Sequence, residues 1–160
     1  MLSKKFKYAL LAFAMFAIGL DQFTKYLARV FIEENTAISF IPHWNWVLAY
    51  NHGAAFSFLA DQGGWQRYMF SAISLLVSAF IVYLILAKQY SKLTGFAYAC
   101  ILGGAMGNFI DRAFVGQVTD FIDWYIGSYH WAAFNVADSF VCIGVALIVI
   151  EQVFSKEQAK

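Results

Sequence analysis

Ionisable and amide side chains interrupt three long apolar runs of this chain, at spacings that place them on one face of a helix. The groups are Asp21 with Lys25, Asn108 with Asp111 and Arg112, and Asn135 with Asp138. An Asp at the centre of a membrane-spanning helix costs about 2.5 to 3.5 kcal/mol, so such residues usually lie near an edge, pair or serve a function. Each group alone is equally well explained as a salt bridge or a helix cap. Their coincidence favours a functional site.

Two of the acids have the spacing that catalysis needs. Asp120 and Asp138 are separated by a segment short enough to fold back, so their carboxyl groups can face one another. Two carboxyls in contact share a proton, so that one acts as a general base on water while the other polarises a carbonyl. This is the chemistry of an aspartic protease dyad, which titrates as a unit. Spacing alone does not exclude Asp111 from such a pair.

Other catalytic chemistries have weaker support in the sequence. His43, His52 and His130 have no spacing typical of a metal site. Cys100 and Cys142 lie inside apolar runs, where a thiol is an inert packing residue. We therefore predict neither a metal nor another cofactor.

Composition identifies the environment of these residues. The 160-residue chain is 61% hydrophobic and 13% charged, whereas soluble domains carry about 25% charged residues. The composition predicts a membrane protein and excludes a soluble enzyme. A net charge of +1 without a basic stripe also argues against nucleic acid as a partner.

Four apolar stretches approach the length of about 20 residues that spans a bilayer. They predict an all-α membrane protein, one integral domain of residues 1–160 with four transmembrane helices at residues 6–27, 67–87, 94–110 and 134–154. Basic residues gather on one side of these helices: Lys4, Lys5, Lys7, Lys88, Lys92, Lys156 and Lys160. The positive-inside rule then predicts cytoplasmic termini, with outer loops at residues 30–66 and 112–133. A cleaved signal peptide would begin with the same basic and apolar pattern and remains an alternative.

The first outer loop is too long for a simple turn. Its β-branched and aromatic segments, broken by Pro42 and Gly53, predict a small extracytoplasmic β-rich subdomain between helices 1 and 2. Its aromatic residues match an interfacial belt, although anchoring of a passive loop explains them equally well. They are Phe40, Trp44, Trp46, Phe56, Phe58 and Trp65.

Small residues in the third span predict close helix packing. Gly103, Gly104 and Gly107 let a neighbouring backbone approach, and we expect that neighbour to be the fourth span. With the predicted topology, the polar groups of all three helices lie at their outward ends. They therefore share one depth near the outer leaflet.

Five motifs together resemble one family over nearly the whole chain. They are DQFTK at residues 21–25, NHGAAFS at 51–57, GNFIDR at 107–112, VTDF at 118–121 and FNVADS at 134–139. This set is similar to the signature of the bacterial lipoprotein signal peptidases, also called signal peptidase II. His52 departs from it, because Tyr or Thr is more usual there.

The resemblance implies roles for individual residues. The catalytic aspartates of the family match Asp120 and Asp138, which implies that Asp111 is not one of them. Residues that support the dyad or line the substrate site match Asp21, Lys25, Asn51, Gly53, Asn108, Arg112 and Asn135.

The resemblance also implies a function. It is that of an intramembrane aspartic endopeptidase, which removes the signal peptide from diacylglyceryl-modified prolipoproteins by cleaving before the lipidated lipobox cysteine. The implied setting is the bacterial inner membrane, with lipid as a partner and cyclic peptides such as globomycin as inhibitors. Because four helices suffice to hold the site, we expect a monomer.

Two alternative functions, a transporter and a scaffold, can be compared with the residues. A proton-coupled transporter would need ionisable residues through the membrane depth, whereas the middle and cytoplasmic halves of these spans are apolar. A non-catalytic scaffold would leave the Asn and Asp motifs without a purpose.

Overall fold

The computed structural model describes residues 2–34, 36–53 and 63–157. Helices α1 to α4 are Lys4–Phe31, Trp65–Ala87, Lys92–Ile110 and Val136–Glu157, and a π-helical turn, Asp111–Val115, continues α3. Strands β1 to β4 are Ala37–Ile41, Trp44–Asn51, Val118–Ile126 and Tyr129–His130. Residues 54–57 of the NHGAAFS motif, and with them Phe56, lie outside the described residues, as does Phe58.

Local sequence sets where the helices begin and end. The side chains of Ser3 and Ser91 accept hydrogen bonds from backbone N–H groups in the first turns of α1 and α3, which satisfies donors that have no partner inside the helix. The end of α3 is different, because its hydrogen bonding widens into the π-helical turn. Gly116 ends that turn with φ of 94°, a left-handed conformation that favours glycine.

Helix α3 is the centre of the helical bundle and packs against each of the other three helices. Glycines bring the backbones close. A Cβ atom on Gly103 would lie 2.6 Å from the Cβ of Ala17 in α1, and one on Gly104 would lie 2.6 Å from Val141 Cγ2 in α4. The glycines of the third span thus contact both α1 and α4, whereas the sequence predicted α4 alone.

The surface of the bundle is apolar. Within the described residues, four helices are long and apolar enough to cross a membrane. Large side chains remain exposed on them, among them Phe16, Leu76 and Phe154, and apolar surface of this extent indicates contact with a membrane. The chain is therefore a multi-pass membrane protein, as its composition predicted.

The β-rich part of the molecule differs from the prediction. The four strands form an antiparallel sheet in the order β1-β2-β3-β4. Strands β1 and β2 lie between α1 and α2, as expected, but β3 and β4 come from the segment between α3 and α4. The prediction of a subdomain confined to the first loop was wrong, because the β-branched and aromatic run Val118–Ile126 was interpreted as loop.

The sheet packs against the ends of the helices. Ala28 of α1, Leu48 of β2 and Phe121 and Ile122 of β3 form a buried cluster. Residues 118–123 of β3 are all buried, whereas β1 is exposed along its length. Strand β3, which carries Asp120, is consequently the part of the sheet that packs against the helices.

Gly104 provides a test of the close packing between α3 and α4. Gly104→Ala should destabilise the protein by about 1 to 3 kcal/mol, because the new methyl group overlaps Val141 and the backbone carbonyl of Ala137. Gly19→Ala is the matched control, since a Cβ on Gly19 meets nothing within 4 Å and alanine favours the helix. Thermal unfolding in detergent measures both, and equal melting temperatures for the two variants would contradict this packing.

Candidate active site

Two aspartates approach the same pair of amide side chains. Asp120 lies on β3 and is 4% exposed, whereas Asp138 lies in the first turn of α4 and is partly exposed. Asn135 Nδ2 donates to Asp120 Oδ1 at 2.7 Å, and Asn108 Nδ2 donates to Asp138 Oδ1 at 2.7 Å. Each acid is therefore held by an asparagine from another part of the chain.

Asn135 also caps α4. Its Oδ1 accepts the backbone N–H of Asp138 at 3.0 Å, and Asp138 Oδ2 accepts the backbone N–H of Asn135 at 3.2 Å. This reciprocal pair is a capping box, which satisfies two donors at the helix start. Asn135 therefore serves as a helix cap and also binds Asp120. The cap uses the amide oxygen, and the hydrogen bond to Asp120 uses the amide nitrogen.

The amide of Asn108 has its orientation fixed by Lys25. Asn108 Oδ1 accepts from Lys25 Nζ at 2.9 Å and from Asn135 Nδ2 at 3.3 Å. An ammonium group can only donate hydrogen bonds, so the oxygen of Asn108 must face Lys25. The amide nitrogen then faces Asp138, where it is needed as a donor.

Lys25 is fully buried and neutralised by carboxylates. Its Nζ lies 2.9 Å from Asp21 Oδ2 and 3.4 Å from Asp111 Oδ2, and all three side chains have 0% exposure. Asp21 Oδ1 accepts the backbone N–H of Ala137 at 2.8 Å. Buried charges are stable only when they are paired and hydrogen-bonded, and here the pairing also fixes α1 against the start of α4.

Arg112 connects the site to the first outer loop. Its Nη2 donates to the carbonyl of Gly53 at 3.1 Å, and its Nη1 donates to the carbonyl of Asn108 at 3.4 Å. The N–H of Gly53 donates to Asn51 Oδ1 at 2.8 Å, and the Asn51 side chain hydrogen-bonds Asp120. These hydrogen bonds link the end of β2 to Asp120 through Asn51, and to Asp138 through Arg112 and Asn108.

Burial and a neighbouring carboxylate favour the protonated form of Asp120. Burial, and after it the negative charge of Asp138, raises the pKa of Asp120 from its ordinary value of 3.8 to about 7. Asp120 can therefore keep a proton at neutral pH. A buried acid in this state can donate a hydrogen bond to a substrate oxygen, while an ionised partner accepts a proton from water.

The sequence-predicted site residues meet in one connected hydrogen-bond network. It comprises Asp21, Lys25, Asn51, Gly53, Asn108, Arg112, Asp120, Asn135 and Asp138. His43 and His130 lie apart on the sheet, bonded to the Tyr125 carbonyl and the Asp123 carboxylate. Among the described residues, no group of three or more His, Cys, Asp or Glu side chains is arranged to hold a metal ion.

Sequence reasoning assigned no role to Arg29 and Thr119, two residues that border this network together with Asp111. Asp111 Oδ2 accepts the backbone N–H of Thr119 at 2.8 Å, and Arg29 Nη1 donates to Thr119 Oγ1 at 2.8 Å. A signal was present for Arg29, because it continues the four-residue spacing of Asp21 and Lys25 on one face of α1. Thr119 lies within the VTDF motif, but the motif gave no indication of its role, because its contacts with Arg29 and Asp111 depend on the fold.

The family model and the similar proteins identify the same family. Residues 13–154 match the family model described as signal peptidase (SPase) II. A lipoprotein signal peptidase of Francisella tularensis subsp. novicida is 45% identical over 161 residues, covering 99% of each chain. A lipoprotein signal peptidase of Cupriavidus taiwanensis is 47% identical over 142 residues, covering 89% of this chain and 81% of the relative.

The fold is also similar to a solved structure. A bacterial membrane enzyme determined by the in meso method at 2.3 Å resolution is 34% identical and superposes with a TM-score of 0.85, covering 95% of this chain and 92% of the other. Sequence and fold agree over nearly the full length, including the segments that carry the two acids. We conclude that the chain belongs to the signal peptidase II family.

Proposed function

We propose that this protein is an intramembrane aspartic endopeptidase that removes the signal peptide from prolipoproteins, with Asp120 and Asp138 as its catalytic pair. Membership of the signal peptidase II family and the name of its curated relatives support the reaction. The observation that carries the assignment of residues is the linked geometry of the two acids. Each acid accepts a 2.7 Å hydrogen bond from an asparagine, and the two asparagines bond each other.

The surroundings of the two acids suggest different roles. Asp138 accepts hydrogen bonds from Asn108 Nδ2 and from the N–H of Asn135, and it lies at the N-terminus of α4. Amide donors and the N-terminus of a helix both hold the oxygens of this carboxyl group in a fixed orientation. Asp120 is more deeply buried and keeps its proton near neutral pH. We assign Asp138 as the general base and Asp120 as the general acid.

The reaction then follows the chemistry of two carboxyl groups that share one proton. Asp138 accepts a proton from water as the water oxygen bonds to the scissile carbonyl carbon, while Asp120 donates its proton to the carbonyl oxygen. The product of this step is a neutral tetrahedral intermediate. When the C–N bond breaks, Asp138 returns its proton to the leaving nitrogen, and the hydroxyl proton goes back to Asp120.

The substrate we propose is a prolipoprotein whose lipobox cysteine already carries diacylglycerol, cleaved just before that cysteine. Such a lipid anchor holds the scissile bond near the headgroup layer. The acids lie where β3 and the start of α4 meet the ends of α1 and α3, a position compatible with that depth. Exposed apolar helix surface allows acyl chains to approach from the bilayer.

We propose an orientation with both termini in the cytoplasm and the acids near the outer leaflet of the inner membrane. The basic end of the chain supports it, because Lys7 Nζ donates to the carbonyls of Leu86 and Lys88 at 2.8 Å each. These contacts join the start of α1 to the end of α2, away from Asp120 and Asp138. Lysines at this end satisfy the positive-inside rule.

A single chain supplies all the groups that this mechanism uses, so we propose that the enzyme acts as a monomer. We also propose that globomycin inhibits it, as the resemblance to the family implies. The transporter hypothesis has less support. Between Lys7 and Asp21, the buried residues of α1 are the apolar Leu10, Ala14 and Ala17. An ion path along this face would need polar groups there.

Removal of either acid tests the dyad. Asp120→Asn and Asp138→Asn should each lower cleavage of a diacylglyceryl prolipopeptide by at least about a thousandfold, because general acid–base catalysis contributes up to about four orders of magnitude. Folding should persist, since asparagine keeps the shape of the side chain. The assay uses purified protein in lipid-containing micelles. Globomycin should abolish cleavage by the wild type in the same assay.

Two other aspartates are controls for this test. Asp123→Asn alters an acid on the same strand whose carboxylate binds Asn45 and His130, and it should leave cleavage nearly unchanged. Asp111→Asn should reduce cleavage less than the dyad variants, although it should lower the melting temperature because a buried carboxylate is lost. Full cleavage by either dyad variant, or a loss with Asp111→Asn as complete as theirs, would overturn the assignment.

The pH dependence of cleavage follows from the proton on Asp120. Because the pKa of Asp120 is raised to about 7, cleavage should decline as pH rises through that value and both acids become ionised. Above it the logarithm of kcat/KM should fall by about one per pH unit. A rate that stays constant from pH 7 to about 9 would show that this proton is not required.

Stability should depend on the same proton. Below about pH 4 Asp120 is protonated in both the folded and the unfolded chain, so its burial costs little. Between about pH 4 and 7 only the unfolded chain releases the proton, and stability is progressively lost. The melting temperature of wild type should therefore fall relative to that of Asp120→Asn across this window, and a constant difference would contradict the raised pKa.

A further inference from the structure

We propose that Arg29 is a positioning residue for Asp120, acting through a clamp formed by Arg29, Asp111 and Thr119. The inference rests on the proposed function, since it concerns the placement of an acid of the dyad. It assigns a role in the reaction to a side chain of α1 that lies outside the motifs of the sequence.

The clamp holds Thr119 at two points. Asp111 Oδ2 accepts its backbone N–H at 2.8 Å, and Arg29 Nη1 donates to its Oγ1 at 2.8 Å. Arg29 Nη1 also lies 3.5 Å from Asp111 Oδ1, so the two holding groups are themselves paired. Thr119 and Asp111 are both fully buried, which strengthens charge-assisted hydrogen bonds.

Thr119 directly precedes Asp120 on β3, so its position constrains that of the acid. Successive side chains of a strand point to opposite faces. Thr119 accordingly points towards Arg29 of α1, while Asp120 points towards Asn135 at the start of α4. A shift of Thr119 along or across the strand would move the Asp120 carboxyl relative to Asp138.

The pairing of β2 with β3 changes register next to this position. Ala49 pairs with Asp120 and Trp46 pairs with Ile122, so residues 47 and 48 of β2 face the single residue 121 of β3. This irregularity is a β-bulge, which interrupts the ladder and bends the strand. The bulge lies next to Asp120. The clamp fixes this part of β3 through hydrogen bonds to Arg29 of α1 and to Asp111 at the end of α3.

Arg29 has no direct part in the chemistry that we propose. Its side-chain hydrogen bonds within the described residues go to Thr119 and Asp111 and not to either acid of the dyad. A quarter of its side-chain surface is exposed, whereas that of Asp111 is fully buried. The role of Arg29 is therefore to hold the strand, and its loss should affect turnover more than substrate affinity.

A double-mutant cycle tests the clamp. Arg29→Met and Thr119→Val each remove one partner of the same hydrogen bond, and each should lower kcat by about tenfold with KM unchanged within about twofold. The double variant should be no slower than the slower single variant, because the two changes break one interaction. Thr119→Ser restores the hydroxyl group and should recover most of the wild-type kcat.

Thr36→Val is the matched control, since it removes a threonine hydroxyl whose hydrogen bond goes to the carbonyl of Glu33, and it should leave kcat unchanged. If Arg29→Met is not recovered folded, Arg29→Lys replaces it, because lysine keeps the charge but lacks the planar fork of donors. Multiplicative losses in the double variant, a rise in KM with kcat intact, or no recovery in Thr119→Ser would each overturn the clamp. Wild type and Asp120→Asn run in the same assay, so failure of the dyad is seen separately.

Discussion

The amide group of Asn135 is the interaction on which the site depends. Its oxygen caps α4 by accepting the N–H of Asp138, and its nitrogen donates to Asp120 at 2.7 Å. The same few atoms therefore start a membrane-spanning helix and hold an acid that lies on a strand. Asp138 completes the cap by accepting the N–H of Asn135, so the start of α4 and the placement of both acids depend on the same two residues.

Close packing of the helices fixes the position of Asn135 and of the two acids that it contacts. The N–H of Ala137 donates to Asp21 in α1, and Gly104 allows α4 to approach α3 closely at the same level. Asn108, near the end of α3, then reaches Asp138, with its amide oriented by Lys25. Catalytic groups need placement within about 0.5 Å, which is achieved when the supporting residues are themselves fixed by packing and hydrogen bonds.

The sequence predicted the membrane class, the family and the residues that meet in the network, because amides and carboxylates are costly in apolar runs and therefore conspicuous. It did not predict the strand Val118–Ile126, because this segment between two apolar spans was assigned to an outer loop as a whole; both of its aspartates are buried in the structure. Arg29 has the position of an ordinary basic residue at a helix end. The π-helical turn, the β-bulge and the contacts of Thr119 arise from tertiary hydrogen bonds, for which a local pattern carries no signal.

Charge balance gives a physical reason for the single proton of the acid pair. The network and its border contain three cations and four carboxyl groups: Lys25, Arg29 and Arg112, with Asp21, Asp111, Asp120 and Asp138. With all four acids ionised, this cluster would carry a net negative charge in a poorly solvated place, which is costly. One proton makes the cluster neutral. Asp120 is a favourable site for that proton, because burial raises its pKa to about 7. The state that minimises the electrostatic cost of the cluster is thus a singly protonated acid pair, which is the state that the proposed mechanism uses.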